Sequence, residues 1–363
     1  MLSHVEEKNR PGQVDISESA LSLRMAMAVS VVVFPPELRI HVRDGEIFLG
    51  QGPVFQTAII AATMAVKKTH EMIPFCHQIP IESCQIEASL NHSSDPASGA
   101  DLRATITCRV ITNSQTGVET EALHGAMTAA LVVYDMCKAL SNQIVIGETR
   151  LVAKTGGKST FLDRPIYGLV LTGGKSERMQ KDKALIAYRG LPHAQFLWST
   201  LKECSREVYL SARKDQWAGT ALSDMPVIYD TVENQGPMGG LTAAFAKHPD
   251  AYWFVVACDL VHFNRRVIDQ ILAHYDPKAI ATCFRNREQD FPEALCALYS
   301  PLAKEVFEVA LGQNQKSPVT ILLNSNCRIL LPNDEIDLAN INTTQEYAEL
   351  SAENRHEDSQ RGP

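Results

Sequence analysis

No run of apolar residues in this chain approaches the ~20 needed to cross a bilayer, so the sequence offers no membrane-spanning helix. It also has no Cys-x-x-Cys pair. The nine cysteines, at positions 76, 84, 108, 137, 204, 258, 283, 296 and 327, are scattered and odd in number. That pattern argues against a disulfide framework or a structural zinc site and points to a reducing cytoplasm. Basic residues are outnumbered, 34 against 42 acidic ones, for a net charge of −8. General binding to nucleic acid or to a membrane surface is therefore not expected, and any phosphate must be held by local cations. The first residues, MLSHVEEKNRPGQVD, lack the basic-then-apolar order of a secretion signal. The P-loop spacing GxxxxGK[ST] fails too, because Leu169 and Val152 stand where its first glycine would fall.

What is present fits two globular domains. A length of 363 residues is long for one, and the 45% hydrophobic content supports a core in each. The stretch 172–185, TGGKSERMQKDKAL, follows the apolar run Ile166–Leu171, IYGLVL. A buried strand ending in a glycine pair, Gly173 and Gly174, lets the backbone approach a ligand closely. Lys175, Arg178 and Lys183 around it suit a triphosphate. This loop resembles the nucleotide loop LxGGxSxRMGxDKAL of the MobA-like molybdenum cofactor guanylyltransferases, with Gln180 in place of the usual glycine.

Earlier in the chain, alternation predicts strands over 38–42, 83–90 and 102–112, and apolar runs make 20–33 and 144–152 β-prone. Helices are expected over 54–69 and 117–140, with Pro53 opening the first and acidic Glu119 and Glu121 in the first turn of the second. Asp135 and Lys138, spaced i and i+3, face the same way. Glu121 and Asp135 are separated by roughly 21 Å on a continuous helix. One compact ligand reaches both only if the site is shared between subunits or the helix is broken.

The ordered set IPFCHQIPI, TGVETEAL, YDMCKAL and VIGETRLVAKTGGKS resembles the MoaC-like cyclic pyranopterin monophosphate synthases over 14–160. The resemblance implies catalytic roles for Asp135, Lys138, His77 and Lys154. It implies a pterin site at Phe75, Cys76, His77, Glu119, Thr120 and Glu121, in which Glu119 or Glu121 contacts the base. Lysines would hold the triphosphate while Asp135 and His77 move protons. One departure stands out: Gln51 occupies the place of a lysine in the family's Lys-Gly-Asp-Val.

In the second half, strands over 207–211, 226–229 and 252–257 alternate with helices over 192–203 and from 236 to 247. This order implies an open, mostly parallel sheet with ligands at its carboxyl edge, where Asp230 and Asp259 fall. Asp259 suits Mg²⁺, which takes one or two carboxylates plus phosphate oxygens. The family's CDMP motif matches Cys258-Asp259, its strand PLFALY resembles 293–299, and its NINTPEE ending resembles 340–346, so this resemblance spans 166–350. It implies GTP held by Leu171, Thr172, Gly173, Lys183, Asp230 and Asp259, and Asp182-Lys183 favours GTP over CTP.

The expected organisation is a flexible start over 1–13, an α+β domain of ferredoxin-like class over 14–160 and a linker over 161–165. A doubly wound, Rossmann-like α/β nucleotidyltransferase follows over 166–350, then a disordered tail over 351–363. The two resemblances imply a bifunctional cytoplasmic enzyme with Mg²⁺, GTP and two pterin substrates. They further imply a homo-oligomer, a hexamer through the first domain, and transient contact with other enzymes of the same cofactor. Two other readings stay open. Gln51 allows a first domain that only binds pterin or oligomerises, and the nucleotide loop suits another nucleotidyltransferase, such as one acting on sugar phosphates.

Overall fold

A computed structural model of the chain describes residues 11–91, 102–157, 160–172, 183–187, 190–230, 235–286 and 290–333. The chain separates into two compact units, Met1–Asp163 and Arg164–Pro363. Each has its own sheet and core.

The first unit opens with β1 (Ser22–Phe34) and three brief strands, β2 (Val42–Arg43), β3 (Glu46–Leu49) and β4 (Gly52–Pro53), which lead into helix α1 (Val54–Lys67). The alternation over 38–42 predicts a strand, but Pro36–His41 instead forms a 3-10 turn. Pro36 supplies the fixed φ and the missing N–H that suit a first helical position, while Leu38 turns inward and is buried. Helix α1 has no capping side chain of its own. Glu46 from the preceding hairpin takes that role, its carboxylate accepting from Phe55 N at 2.8 Å and Gln56 N at 3.2 Å.

Beyond α2 (Thr69–Met72) come β5 (Ser83–Asn91), β6 (Leu102–Ser114), α3 (Glu119–Cys137) and β7 (Val145–Thr155). The long strands form an antiparallel sheet in the order β5-β6-β1-β7. Ala58 and Ala62 of α1 share a core with Ala129 and Ala130 of α3, and these small side chains let the helices approach closely. On the opposite side Ile60, Met64, Met127 and Leu131 remain exposed.

The second unit comprises β8 (Ile166–Leu171), α4 (His193–Lys202), β9 (Glu207–Ala212), β10 (Val227–Tyr229), α5 (Pro237–Lys247), β11 (Tyr252–Ala257), α6 (Arg265–His274), β12 (Ala281–Asn286), β13 (Phe291–Tyr299), α7 (Ala303–Gly312), α8 (Pro318–Leu323) and β14 (Cys327–Leu330). Its seven-stranded sheet has the order β10-β9-β8-β11-β13-β12-β14. Strands β10, β9, β8 and β11 are parallel, whereas β13 runs antiparallel to both β11 and β12. Every residue of β8 and β11 is buried, as a sheet covered on both faces requires, and this explains their unbroken apolar runs. Parallel pairing brings the carboxyl ends of β8, β9, β10 and β11 to one edge. Among the described residues, no helix is long and apolar enough to cross a membrane, and all nine cysteines are free thiols.

Candidate functional site

In the first unit, the start of α3 gathers most of the residues expected from sequence. Lys154 Nζ on β7 meets Glu119 Oε1 at 3.1 Å, with both side chains about one-third exposed. Two residues along the helix, Glu121 is only 3% exposed. Its Oε1 accepts the Cys76 thiol at 3.2 Å, and its Oε2 is buried with no hydrogen-bond partner among the described residues. Burial pushes the Glu121 carboxyl above the ordinary carboxylate range, and the neighbouring Glu119 adds to that rise while Cys76 and His70 oppose it. The Cys76 thiol is pushed up to about 12, first by burial and then by the Glu121 carboxyl it faces. His77 is half-buried beside Cys76, whereas Phe75 and Thr120 are exposed.

Asp135 and Lys138 sit at the other end of the same helix. Their ion pair is short, 2.6 Å between Nζ and Oδ1, but both side chains are well exposed. The Asp135 hydrogen bond raises the Lys138 ammonium above the ordinary lysine range. Helix α3 is unbroken over Glu119–Cys137, so the Glu121 and Asp135 groups do not meet within one copy. Residues 127, 131 and 135 recur at helical spacing, which puts Asp135 on the same exposed stripe as Met127 and Leu131. Gln51 is exposed in the turn before α1.

In the second unit Leu171, Thr172, Asp230 and Asp259 lie at the carboxyl ends of the parallel strands, and Lys183 opens a short 3-10 turn. Leu171 ends β8, and Thr172 follows it, buried, with Oγ1 donating to Ser211 O at 2.5 Å. Ser211 Oγ in turn donates to Asp230 Oδ1 at 3.0 Å. Burial raises the Asp230 carboxyl, against the pull of Ser211 and Arg213. Gly240, in the first turn of α5, packs against Ser211 and Leu171 so closely that a Cβ would overlap the serine hydroxyl. Asp259 follows β11, and burial raises its carboxyl while Lys183 opposes the rise. Glu293 on the neighbouring strand β13 is held by Asn286 Nδ2 at 3.2 Å and Leu295 N at 3.3 Å, and its carboxyl feels the charge of Asp259. These oxygen donors suit a hard divalent cation. Gly173, Gly174, Lys175, Arg178, Gln180 and Asp182 lie outside the described residues, as does the 340–346 motif.

Comparison with known proteins matches both halves. Residues 13–157 fit the MoaC family and residues 168–324 the MobA-like NTP transferase domain. A "Molybdenum cofactor biosynthesis bifunctional protein" from Synechocystis is 43% identical, over 97% of this chain and 100% of its own length. The chain belongs to that bifunctional family. A "Cyclic pyranopterin monophosphate synthase" from Xanthomonas oryzae is 46% identical over 43% of this chain and 90% of its own length. A solved Archaeoglobus fulgidus molybdopterin-guanine dinucleotide biosynthesis protein A resembles the second half at a TM-score of 0.44 and 19% identity, covering 52% of this chain and 99% of that one.

For a bifunctional molybdenum cofactor biosynthesis protein, the two clusters separate cleanly by unit. Ser211 and Gln216 carry no local motif: pairing of β8 with β9 brings Ser211 to the nucleotide residues, and Gln216 joins them from the turn after β9. Glu293 opens the strand matched at 293–299, but nothing in that motif marked its carboxylate as facing Asp259.

Proposed function

We propose that this protein catalyses two steps of molybdenum cofactor assembly, one in each unit. The first unit rearranges the cyclised GTP intermediate, 3′,8-cyclo-7,8-dihydroguanosine 5′-triphosphate, into cyclic pyranopterin monophosphate and pyrophosphate. The second transfers GMP from GTP to the molybdopterin cofactor and releases pyrophosphate.

The observation that carries the first assignment is the buried Glu121 with one oxygen unsatisfied. A buried polar atom left without a partner costs free energy, and a donor on the purine-derived base would satisfy it. Lys154, held by Glu119 at 3.1 Å, supplies positive charge for substrate phosphates once a phosphate competes for its ammonium. Lys138 and Asp135 supply a second cation and a base. Because α3 is unbroken, one copy presents only half of the expected set, and the exposed Met127 and Leu131 beside Asp135 support closure against a second copy. A homo-oligomer built through this unit, hexameric if it follows the family, is part of the proposal. The β5-β6-β1-β7 order, with each helix linking two strands that flank a third, supports a ferredoxin-like class.

In the second unit, Thr172 and Lys183 border the glycine loop, and the carboxyl edge of the parallel strands supports a doubly wound, Rossmann-like reading. Lys183 would bind the phosphates of GTP, and Asp230 the nucleoside. Asp259, with Glu293 beside it, would hold Mg²⁺. When bound, that ion neutralises charge on the triphosphate. The chain's own residues hold the α-phosphorus in reach of the molybdopterin phosphate and keep the leaving pyrophosphate beside Lys183. The domain limits remain those read from sequence, 14–160 and 166–350. The test is separation of activities: Asp135→Ala should abolish pterin formation and spare GMP transfer. Loss of both activities would contradict two independent sites.

A further inference from the structure

The carboxyl ends of β8 and β9 are tied together by more than the sheet. Thr172 N and Oγ1 both donate to Ser211 O, at 3.2 and 2.5 Å, and Ser211 Oγ donates to Asp230 Oδ1 at 3.0 Å. Asp230 N donates to Ala212 O at 3.2 Å. One side chain outside these strands completes the circuit. Gln216 Oε1 accepts from Arg213 N at 3.0 Å, and Gln216 Nε2 donates to Thr172 O at 3.3 Å. The carboxamide therefore bridges the residue where the chain leaves β8 and the residue where it leaves β9.

We propose that Gln216 is a positioning residue for the nucleoside triphosphate, fixing the point from which the glycine loop departs relative to Asp230. The proposal rests on the nucleotidyl-transfer reading of this unit. Chemically, the residue is well matched to the task. A carboxamide donates and accepts at once, so it can join a carbonyl of one strand to an N–H of another. Leucine would join neither. Glutamate would keep the acceptor for Arg213 N but would set a carboxylate oxygen against the Thr172 carbonyl. These two Gln216 contacts hold main chain at Thr172 and Arg213, so loosening them should weaken triphosphate binding whatever the base. Preorganised backbone around a phosphate site loses affinity when its supporting shell loosens.

The test uses the full chain and the near-isosteric Gln216→Glu, with Gln216→Leu as a second variant. Binding of GTP and of inorganic tripolyphosphate is measured by calorimetry, and GMP transfer is followed to separate KM from kcat. Each variant should weaken both ligands by about 5- to 30-fold, the range for breaking a hydrogen bond and stranding its partner. KM for GTP should rise in step while kcat stays within about threefold, since no group touching the reacting atoms has changed. Pyrophosphate release from the cyclised intermediate, in the other unit of the same molecules, should match wild type and so reports that the variants are folded. Unchanged tripolyphosphate affinity in Gln216→Glu would overturn the proposal. So would a loss confined to GTP, or one falling on kcat alone. Wild-type protein with no affinity for GTP would remove the nucleotidyl-transfer reading itself, and this proposal with it.

Discussion

Glu121 and Asp135 lie on one unbroken helix, α3, fourteen positions apart, which places them about 21 Å from each other along its axis. If both serve one pterin site, the site must draw them from two copies. Glu121→Ala and Asp135→Ala proteins, each inactive alone, should then regain activity when unfolded together and refolded as mixed oligomers. Random assortment gives roughly a quarter of the sites one intact residue from each copy, in a closed assembly with repeated interfaces. Pterin formation near that fraction supports a shared site, and none at all speaks against it.

The buried Glu121 carboxyl also makes a prediction about pH. Its folded-state pKa lies above the ordinary value because of burial, so the folded protein holds this proton more tightly than the unfolded chain. Its contribution to stability is therefore greatest below about pH 4 and falls as pH rises through the window up to the raised value. Glu121→Gln removes that fall. Relative to wild type, the variant should be more stable at pH 7 than near pH 4, while losing pterin synthesis. Denaturant unfolding at the two pH values checks it, and an equal effect at both would count against a buried ionisation.

Gln51 stands exposed just before α1, where the synthase resemblance calls for lysine. An ammonium stabilises developing phosphate charge in a way a neutral carboxamide cannot. Gln51→Lys should raise the rate of pyrophosphate release from the cyclised intermediate by about tenfold or more, with little change in stability at this surface turn. A rate that does not move would mean the remaining lysines already suffice.

Helix α5 reaches the site through Gly240, whose missing Cβ makes room for Ser211 and Leu171. Gly240→Ala would force the Ser211 hydroxyl away from Asp230. The expected cost is about 1–3 kcal/mol of stability in the second unit, together with a higher KM for GTP. Thermal unfolding and GMP-transfer kinetics read the two effects, and a variant wild-type in both would show that this edge can relax.

Much of this fold was legible because its signals are local. The acidic first turn of α3, Pro53 before α1, and the all-apolar runs of β8 and β11 each announced their element within a residue or two. The motifs at 76–77, 119–121, 135–138 and 154 led to the residues that gather at the two ends of α3. Helix α6 carried a readable start that went unread. Asn264 Oδ1 accepts from Arg266 N at 2.8 Å and Val267 N at 3.4 Å, the capping pattern expected before an apolar-periodic run. Strand β14, only four residues long, gave a weaker signal. The two copies of Thr-Gly-Gly-Lys-Ser, alike on paper, were told apart by their flanks: the second follows the buried apolar run 166–171, and the first closes the synthase-like set. The first belongs to a turn on Arg24: Gly156 has φ +88°, and a Cβ there would overlap Leu23 O. The contacts of Ser211 and Gln216 were out of reach of sequence, since they depend on β8 pairing with β9 about forty residues further along the chain.

The measurement that tests the central claim most directly follows both reactions with three proteins: wild type, Asp135→Ala and Asp259→Asn. Each is given the cyclised GTP intermediate in one assay, and GTP with the molybdopterin cofactor in another, with Mg²⁺ present. Wild type should perform both reactions, and Asp135→Ala should lose pterin formation alone. Asp259→Asn should lose GMP transfer alone, by about 100-fold or more. A wild-type protein that transfers GMP but releases no pyrophosphate from the cyclised intermediate would contradict the central claim, and would leave the first unit as a scaffold for the second.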